Sequence, residues 1–165
     1  MNLPAWAVVT PERRAHIERV VALLAAWAAA RRTPEAEGAR WVKAGWLHDA
    51  LRDAPATDEL GHGPRAAERA ARDGETDRGV LDAVRYHSLG YADWDDVGKM
   101  LYLADYLEPG RAFDRELRAS LAARVPQDRD AVLRQVAARR IGRVIDSRWP
   151  LARETVDFWN ALVSS

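Results

Sequence analysis

The stretch PERRAHIERVVALLAAWAAARR, residues 11–32, indicates the fold class of this chain. Its bulky apolar residues recur at steps of three and four, which is the spacing of one face of an α-helix. These residues are Ile17, Val20, Val21, Leu24 and Trp27. Thr10 and Pro11 supply a capping hydroxyl and a proline at the first helical position. We therefore predict a long amphipathic helix in this stretch.

The same features recur along the rest of the 165 residues. Thr33-Pro34 and Gly63-Pro64 precede helical starts, and Pro109-Gly110 ends a later apolar run. Alanine, the best helix former, is abundant, and no segment alternates apolar and polar residues as a half-buried strand does. We predict helices at residues 11–32, 34–52, 64–73, 76–89, 94–108, 113–124, 127–147 and 151–163. The expected fold is all-α, a single compact helical domain over residues 1–165.

Composition excludes several classes of function. Lys and Arg together number 25, as do Asp and Glu, so the formal net charge is zero and we expect no nucleic-acid partner. The most apolar stretch, residues 20–30, is about half the length that spans a bilayer, so we expect no membrane partner and a cytoplasmic location. The chain has no cysteine, which excludes disulfides, thiolate zinc sites, iron–sulfur clusters and cysteine nucleophiles. Any metal must be held by imidazole and carboxylate.

The four histidines and two isolated acids are the candidate metal ligands. His16, His48, His62 and His87 each fall on a different predicted helix or at the end of one. Asp49 and Asp105 are single charges in apolar runs, AGWLHDAL (44–51) and MLYLADYL (100–107), where a carboxylate needs a cation to offset its desolvation. Imidazole and carboxylate together suit iron, manganese, zinc, cobalt or nickel better than calcium. The alternative is that each histidine is a partly exposed helix residue and that Asp49 caps a neighbouring segment.

These residues occur in the order of a known signature. His16, His48-Asp49 and Asp105 resemble the H…HD…D signature of the HD-domain metal-dependent phosphohydrolases. Longer motifs resemble one branch, the YqeK-like symmetrical bis(5'-nucleosyl)-tetraphosphatases, which hydrolyse diadenosine tetraphosphate. These motifs are AGWLHD (44–49), HGP (62–64), VRYHSLG (84–90) and KMLYLADYLEPGR (99–111). The resemblance places the motif-bearing core of an HD-domain helical bundle at about residues 11–113, followed by C-terminal helices over about 113–163.

The resemblance implies a dinuclear metal centre. One metal ion would be held by His16, His48, Asp49 and Asp105, and a second by His62 and His87, with Asp49 bridging the two. Two divalent or transition metal ions are implied, with iron favoured over manganese, cobalt, zinc, nickel and magnesium. The nucleophile would be a metal-bound hydroxide, so no serine or cysteine nucleophile is required. Asp49 and Arg52 are the residues to which the resemblance assigns a catalytic role.

The implied reaction splits diadenosine tetraphosphate into two ADP, so the expected partner is a small-molecule nucleotide. Its polyphosphate bridge needs cationic groups, and we expect Arg52, Arg85, Lys99 and Arg111 to converge on it. A solvated surface charge is the alternative for each of them, and for Arg85 it is the preferred one. Arg52 stands where the family commonly has lysine. Tyr91 and Phe113, near loops beside the motifs, could stack on adenine.

Two other functions are consistent with the residues. The metal centre could serve another nucleotide, such as a nucleoside monophosphate, a dNTP or a cyclic nucleotide. Alternatively, the chain could be a non-catalytic, metal-stabilised nucleotide-binding module. We expect the arginine-rich segment 111–148 to form a solvated helix face. The apolar run at 156–163 is expected to pack against the domain, with a homodimer contact as the alternative.

Overall fold

The computed structural model describes residues 1–164 and contains seven α-helices and no strand over that range. The helices are α1 (Pro11–Ala30), α2 (Glu35–Leu47), α3 (His62–Arg72), α4 (Arg78–Tyr86), α5 (Asp96–Leu107), α6 (Arg115–Asp146) and α7 (Arg153–Val163). The predicted all-α fold is confirmed. Within these residues, no helix combines the length and the apolar character that crossing a membrane would require.

The predicted bounds need three corrections that matter for the site, one of which is that α3 begins at His62 rather than at residue 64. The second helix does not extend to residue 52 but ends at Leu47, and His48 is its C-cap. Asp49 lies in the turn that follows, where the amide of Arg52 donates to the Asp49 carbonyl at 2.9 Å. The fourth helix ends at Tyr86 rather than at residue 89, so that His87 is also a C-cap. Both histidines therefore lie at the carboxyl ends of helices.

Helix α6 spans the two helices predicted at 113–124 and 127–147, but it is interrupted at Asp128, which has non-helical backbone angles (φ −143°, ψ 49°). Pro126 lies inside the helix and lacks the amide hydrogen that would bond to the carbonyl of Ala122. The indole Nε1 of Trp27, in α1, donates to that carbonyl at 3.1 Å instead. The Ala122 carbonyl, which Pro126 leaves without its helical donor, thus receives a hydrogen bond from α1 instead.

Helix α5 is the centre of the packing, because it contacts α1, α2, α4 and α6. Its residues from Met100 to Asp105 are all buried, and Asp105 is the one charged member of that run. At the far end of the chain, α7 inserts Phe158 against Trp94 and Tyr102. The expectation that the C-terminal run packs against the domain therefore holds for Phe158, whereas Val156 and Val163 are exposed.

Arg40 of α2 forms hydrogen bonds to the N-caps of α4 and α5, the two helices whose C-terminal ends carry His87 and Asp105. Its guanidinium forms two hydrogen bonds to Asp77, the N-cap of α4, at 2.7 and 2.9 Å. It also donates to Asp95, the N-cap of α5, at 2.8 Å. The hydrogen bonds from Arg40 lower the pKa of Asp77 from 3.8 to about 2. One side chain thereby links α2 to the N-caps of both α4 and α5.

Candidate metal centre

Six buried side chains from the first five helices and their ends meet in one place. His16 lies in the second turn of α1, and His62 is the first residue of α3. His48 and His87 are C-caps, Asp49 follows α2, and Asp105 lies in the last turn of α5. Asp105, the most exposed of the six, is only 7% exposed. The structure therefore brings together all six side chains that the resemblance implied as metal ligands.

The two oxygens of Asp49 face two different groups of histidines. Its Oδ2 lies 3.6 Å from Nε2 of His16 and 3.7 Å from Nε2 of His48. Its Oδ1 lies 3.0 Å from Nε2 of His62 and 3.3 Å from Nε2 of His87. In each group of three residues the candidate ligand atoms lie within 4.8 Å of one another, close enough to hold one ion. A carboxylate arranged in this way can bridge two ions.

Asp105 joins the first of these groups. Its Oδ1 lies 3.1 Å from Nε2 of His16 and 3.7 Å from Nε2 of His48. Asp49 and Asp105 thus each place one carboxylate oxygen within 3.7 Å of Nε2 of both His16 and His48. The second group has two imidazole nitrogens and one carboxylate oxygen. Both donor sets suit a borderline transition metal better than calcium, which prefers six to eight oxygen ligands.

Three of the histidines are oriented by hydrogen bonds on the ring side away from the site. Nδ1 of His48 donates to the Gly45 carbonyl, and Nδ1 of His87 donates to the Val84 carbonyl, both at 2.7 Å. A proton on Nδ1 leaves the lone pair on Nε2, which points into the site. Nε2 of His48 is buried and has no hydrogen-bond partner among the described residues. A buried, unpartnered nitrogen of this kind fits a metal ligand.

His16 is the third histidine oriented in this way, and its partner on the ring side away from the site is a carboxylate. Its Nδ1 lies 3.0 Å from Oε1 of Glu108, which is fully buried and also accepts from Nε of Arg19 at 2.6 Å. Burial by itself lowers the pKa of His16, but the hydrogen bonds to Asp105 and Glu108 outweigh burial and raise that pKa to about 9. A metal ion that binds at Nε2 of His16 would therefore compete with a proton for that nitrogen.

The two central carboxylates are held in the ionised form. Burial raises the pKa of Asp49, but the contacts of its carboxylate with His48, His62 and His87 outweigh burial and bring that pKa well below its ordinary value. Burial likewise opposes ionisation of Asp105, and its contacts with His16, His48 and Arg111 outweigh burial, so that its pKa is also low. Two anionic carboxylates enclosed among imidazoles attract a divalent cation.

Arginines surround these carboxylates on the outside. Arg111 donates to Oδ1 of Asp105 at 3.0 Å, whereas the sequence predicted it as a contact to the substrate's phosphates. Arg13 donates to Oδ2 of Asp49 at 2.8 Å. Arg140, in the second half of α6, lies 3.8 Å from Oδ2 of Asp105 and donates to the His87 carbonyl at 3.3 Å. The side chains of all three are partly exposed, so each can also reach an anion at the mouth of the site.

The other predicted cations are not brought to the carboxylates. Arg85 lies 3.9 Å from Glu68 of α3 in an ion pair at the surface. Lys99 is six residues before Asp105 on α5 and therefore projects from a different face of that helix. Its charge there contributes to the lowered pKa of Asp130. Arg52 is half-buried and makes no ion pair with the described residues. Their roles in binding the substrate stay predictions.

Sequence reasoning missed three of the residues at the site. Arg13 precedes His16 by three residues and lies on the same face of α1. Glu108 follows Asp105 by three residues and is the C-cap of α5. The three-residue spacing from a candidate ligand could have identified both residues from the sequence. Arg140 carried no such signal, because it lies 35 residues after Asp105 in a helix that the motifs do not reach.

Comparison with known proteins identifies the family. The HD domain family matches residues 13–110, which is more than half of the chain. This chain belongs to the HD-domain family. The match confirms the resemblance that rested on His16, His48-Asp49 and Asp105. A crystal structure from Clostridium acetobutylicum, described as a predicted HD superfamily hydrolase involved in NAD metabolism, shares the fold. It has a TM-score of 0.79 and 22% identity, over 94% of this chain and 91% of that one.

Curated relatives of this HD-domain chain carry a more specific name. A segment of 56 residues is 45% identical to a symmetrical bis(5'-nucleosyl)-tetraphosphatase of Bacillus subtilis, and covers 33% of this chain. Proteins of the same name from Halalkalibacterium halodurans and Staphylococcus aureus are 40% and 39% identical over 57 and 54 residues, or 34% and 32% of this chain. The matched segments span 28–30% of these relatives.

Proposed function

We propose that this HD-domain chain is a metal-dependent phosphohydrolase that splits diadenosine tetraphosphate symmetrically into two ADP. The observation that carries the proposal is the position of Asp49, with one oxygen toward His16 and His48 and the other toward His62 and His87. The name that the curated relatives share supports this substrate. The partner is a small-molecule nucleotide, and the whole chain, including α6 with Arg140, acts as one unit.

The residues present fit two metal ions, of which iron is the favoured identity. His16, His48, Asp49 and Asp105 would hold one ion, and Asp49, His62 and His87 would hold the other. A pair of divalent cations held there would supply Lewis acidity to a phosphoryl group and would lower the pKa of the attacking water molecule. The unpartnered Nε2 of His48 supports the fit, since it lies 3.7 Å from an oxygen of Asp49 and 3.7 Å from an oxygen of Asp105.

The remaining polar residues bind and orient the substrate. Arg13 and Arg111 are partly exposed beside Asp49 and Asp105, so their guanidinium groups can turn to phosphate oxygens at the mouth of the site. Glu108 holds the ring of His16 in position through Nδ1. Arg52 as a catalytic residue and Arg85 and Lys99 as phosphate contacts remain part of the proposal, with support from the motif order alone.

The test begins with protein purified without chelator. Metal analysis should find about two transition-metal ions per chain, and chromatography of a reaction with diadenosine tetraphosphate should find ADP as the single product. AMP plus ATP would contradict symmetrical cleavage. Nucleoside monophosphates, dNTPs and cyclic nucleotides are assayed in parallel, since turnover of one of these alone would support the second enzymatic function. Tight nucleotide binding without turnover would support a binding module.

A matched pair of variants tests the role of Asp49. Asp49→Asn keeps the size of the side chain and removes its charge, and we expect metal content and turnover to fall by at least about 100-fold, beyond the usual effect of losing an outer partner. Asp93→Asn makes the same chemical change at an exposed position and should alter neither. Full metal content and activity in Asp49→Asn would overturn the bridging role.

A further inference from the structure

The loop between α5 and α6 is built around one buried arginine. Arg118 is 2% exposed, so the expectation of a solvated basic face over residues 111–148 is wrong for this position. Its guanidinium donates to the backbone carbonyls of Tyr106, Arg111 and Phe113 at 2.8–3.0 Å, and also to that of Glu108. Four carbonyls bound to one rigid, planar group leave the loop little freedom to move.

The same guanidinium supports the ring of Phe113. Its Cζ atom lies over the ring at 4.6 Å from the centroid, and Tyr106 meets the ring edge to face with centroids 5.5 Å apart. Phe113 is nevertheless 41% exposed. One face of the ring is therefore packed, and the exposed area belongs to the opposite face and the free edges. The ring is thus held by protein groups on one side and open to solvent on the other, an arrangement on which a second planar group can stack.

Phe113 lies close along the chain to Arg111, one of the proposed phosphate contacts. Arg111, which donates to Oδ1 of Asp105, precedes it by two residues, so the two Cα atoms are at most about 7 Å apart. In a nucleotide, a ribose separates the base from the first phosphate. A phosphate at Arg111 therefore places the base within reach of the Phe113 ring.

We propose that the outer face of Phe113 stacks on a nucleobase of the bound nucleotide, with Arg118 as the residue that positions the ring. This inference rests on the proposed function, because it assumes a nucleotide at the metal centre. Stacking on an aromatic ring is tolerant of base identity, since every base has a π-face. The site therefore selects for a purine or pyrimidine nucleotide over an inorganic polyphosphate.

Tyr91, the other aromatic residue expected to stack on adenine, is less suited. Its ring is stacked on that of Tyr86, with centroids 4.1 Å apart and planes 16° from parallel. Tyr91 is also half-buried, whereas Phe113 is exposed, so less of the Tyr91 ring is open to a ligand. No hydrogen bond or ion pair among the described residues links it to Asp49 or Asp105, whereas Phe113 follows Arg111 closely along the chain.

Calorimetric titration of the metal-loaded protein with ADP and with inorganic pyrophosphate tests the inference. In Phe113→Ala the dissociation constant for ADP should rise by about 5- to 100-fold, the factor that one base-stacking contact contributes. The constant for pyrophosphate, which has no base, should stay within about twofold of the native value. Phe113→Tyr should restore ADP binding, and Phe113→Leu, with apolar bulk but no aromatic face, should fall between alanine and tyrosine.

Three results would overturn the inference. ADP binding could be unchanged in Phe113→Ala, ADP and pyrophosphate could weaken by the same factor, or the native protein could bind ADP no more tightly than pyrophosphate. The second result would mean that the ring supports only the loop that holds Arg111. Failure of the proposed function is a separate observation, the absence of ADP release from diadenosine tetraphosphate, and it leaves the comparison of ADP with pyrophosphate intact.

Discussion

Oε1 of Glu108 lies 3.0 Å from Nδ1 of His16, on the side of the imidazole opposite to the candidate metal position. The carboxylate is fully buried, and its pKa is about 2 because, although burial raises it, hydrogen bonds from His16, Arg19 and the Gly110 amide lower it further. A buried anion behind a histidine fixes the tautomer and increases the basicity of the nitrogen that faces the metal. Glu108 is therefore part of the centre without being one of its ligands.

Replacing Glu108 with glutamine should weaken metal binding. The amide keeps the size of the side chain but cannot stabilise a positive charge on His16, so we expect the metal dissociation constant to rise by about 10- to 100-fold. Competition with a chromogenic chelator measures that constant. Glu18→Gln, on the exposed face of α1, is the control and should have no effect. Equal affinities in the Glu108 variant and the native protein would exclude this role.

Arg13 and Arg14 are neighbours with different partners, and this makes them a matched pair. Arg13 contacts Asp49, whereas Arg14 pairs with Glu18 on the surface. We expect Arg13→Met to raise KM for the nucleotide by about tenfold, because a charge-assisted bond to phosphate contributes about 1.5–3 kcal/mol. Arg14→Met should leave KM unchanged. Steady-state kinetics at several salt concentrations provide the measurement, and similar KM values for the two variants would contradict a role for Arg13.

Trp27 should contribute to stability through its indole hydrogen. Trp27→Phe removes the donor to the Ala122 carbonyl, which Pro126 cannot replace, so we expect the free energy of unfolding to fall by about 2–3 kcal/mol. Urea unfolding measures the change. The control is Trp6→Phe, where the lost bond to Asp73 is exposed and should cost less than about 1 kcal/mol. A larger loss of unfolding free energy in Trp6→Phe than in Trp27→Phe would show that the hydrogen bond from Trp27 to Ala122 does not stabilise the interrupted helix α6.

Asp77 predicts how stability changes in acid. Its pKa is lowered from 3.8 to about 2, first by the hydrogen bonds from Arg40, so the folded state favours the ionised form. The stabilisation is complete above the unfolded-state pKa and is lost as the pH falls through the folded-state pKa. Asp77→Asn keeps an N-cap acceptor but removes the charge. We expect this variant to be about 1 kcal/mol less stable than the native protein at pH 7.

The difference between the native protein and Asp77→Asn should shrink as the pH falls from about 4 to about 2, because Asp77 becomes neutral in the native protein over that range. Urea unfolding of both proteins at pH 7, 4 and 2.5 measures this difference in the free energy of unfolding. Asp93→Asn, at an exposed position, should show no such trend. A difference that stays constant with pH would mean that the pair of Arg40 and Asp77 does not stabilise the fold through charge.

The helices were predictable from the sequence because the signals that produce them are local. Thr10 caps α1 through its own side chain, which accepts from the Arg13 amide at 3.1 Å, and the apolar period of the following turns needs no distant contact. The HD-domain resemblance was likewise predictable, since the order of His16, His48-Asp49 and Asp105 is a property of the linear chain. Helix ends were less predictable, since the turn after Leu47 depends on packing as well as propensity.

The sequence by itself determined the all-α class, the family and the six residues that could hold metal ions. Only the tertiary structure decided that the two oxygens of Asp49 face different histidine pairs and that Arg140 reaches the site from α6. The physical reason is that helical periodicity fixes which residues share a face of one helix. The angles and distances at which separate helices cross depend on how all their side chains pack together.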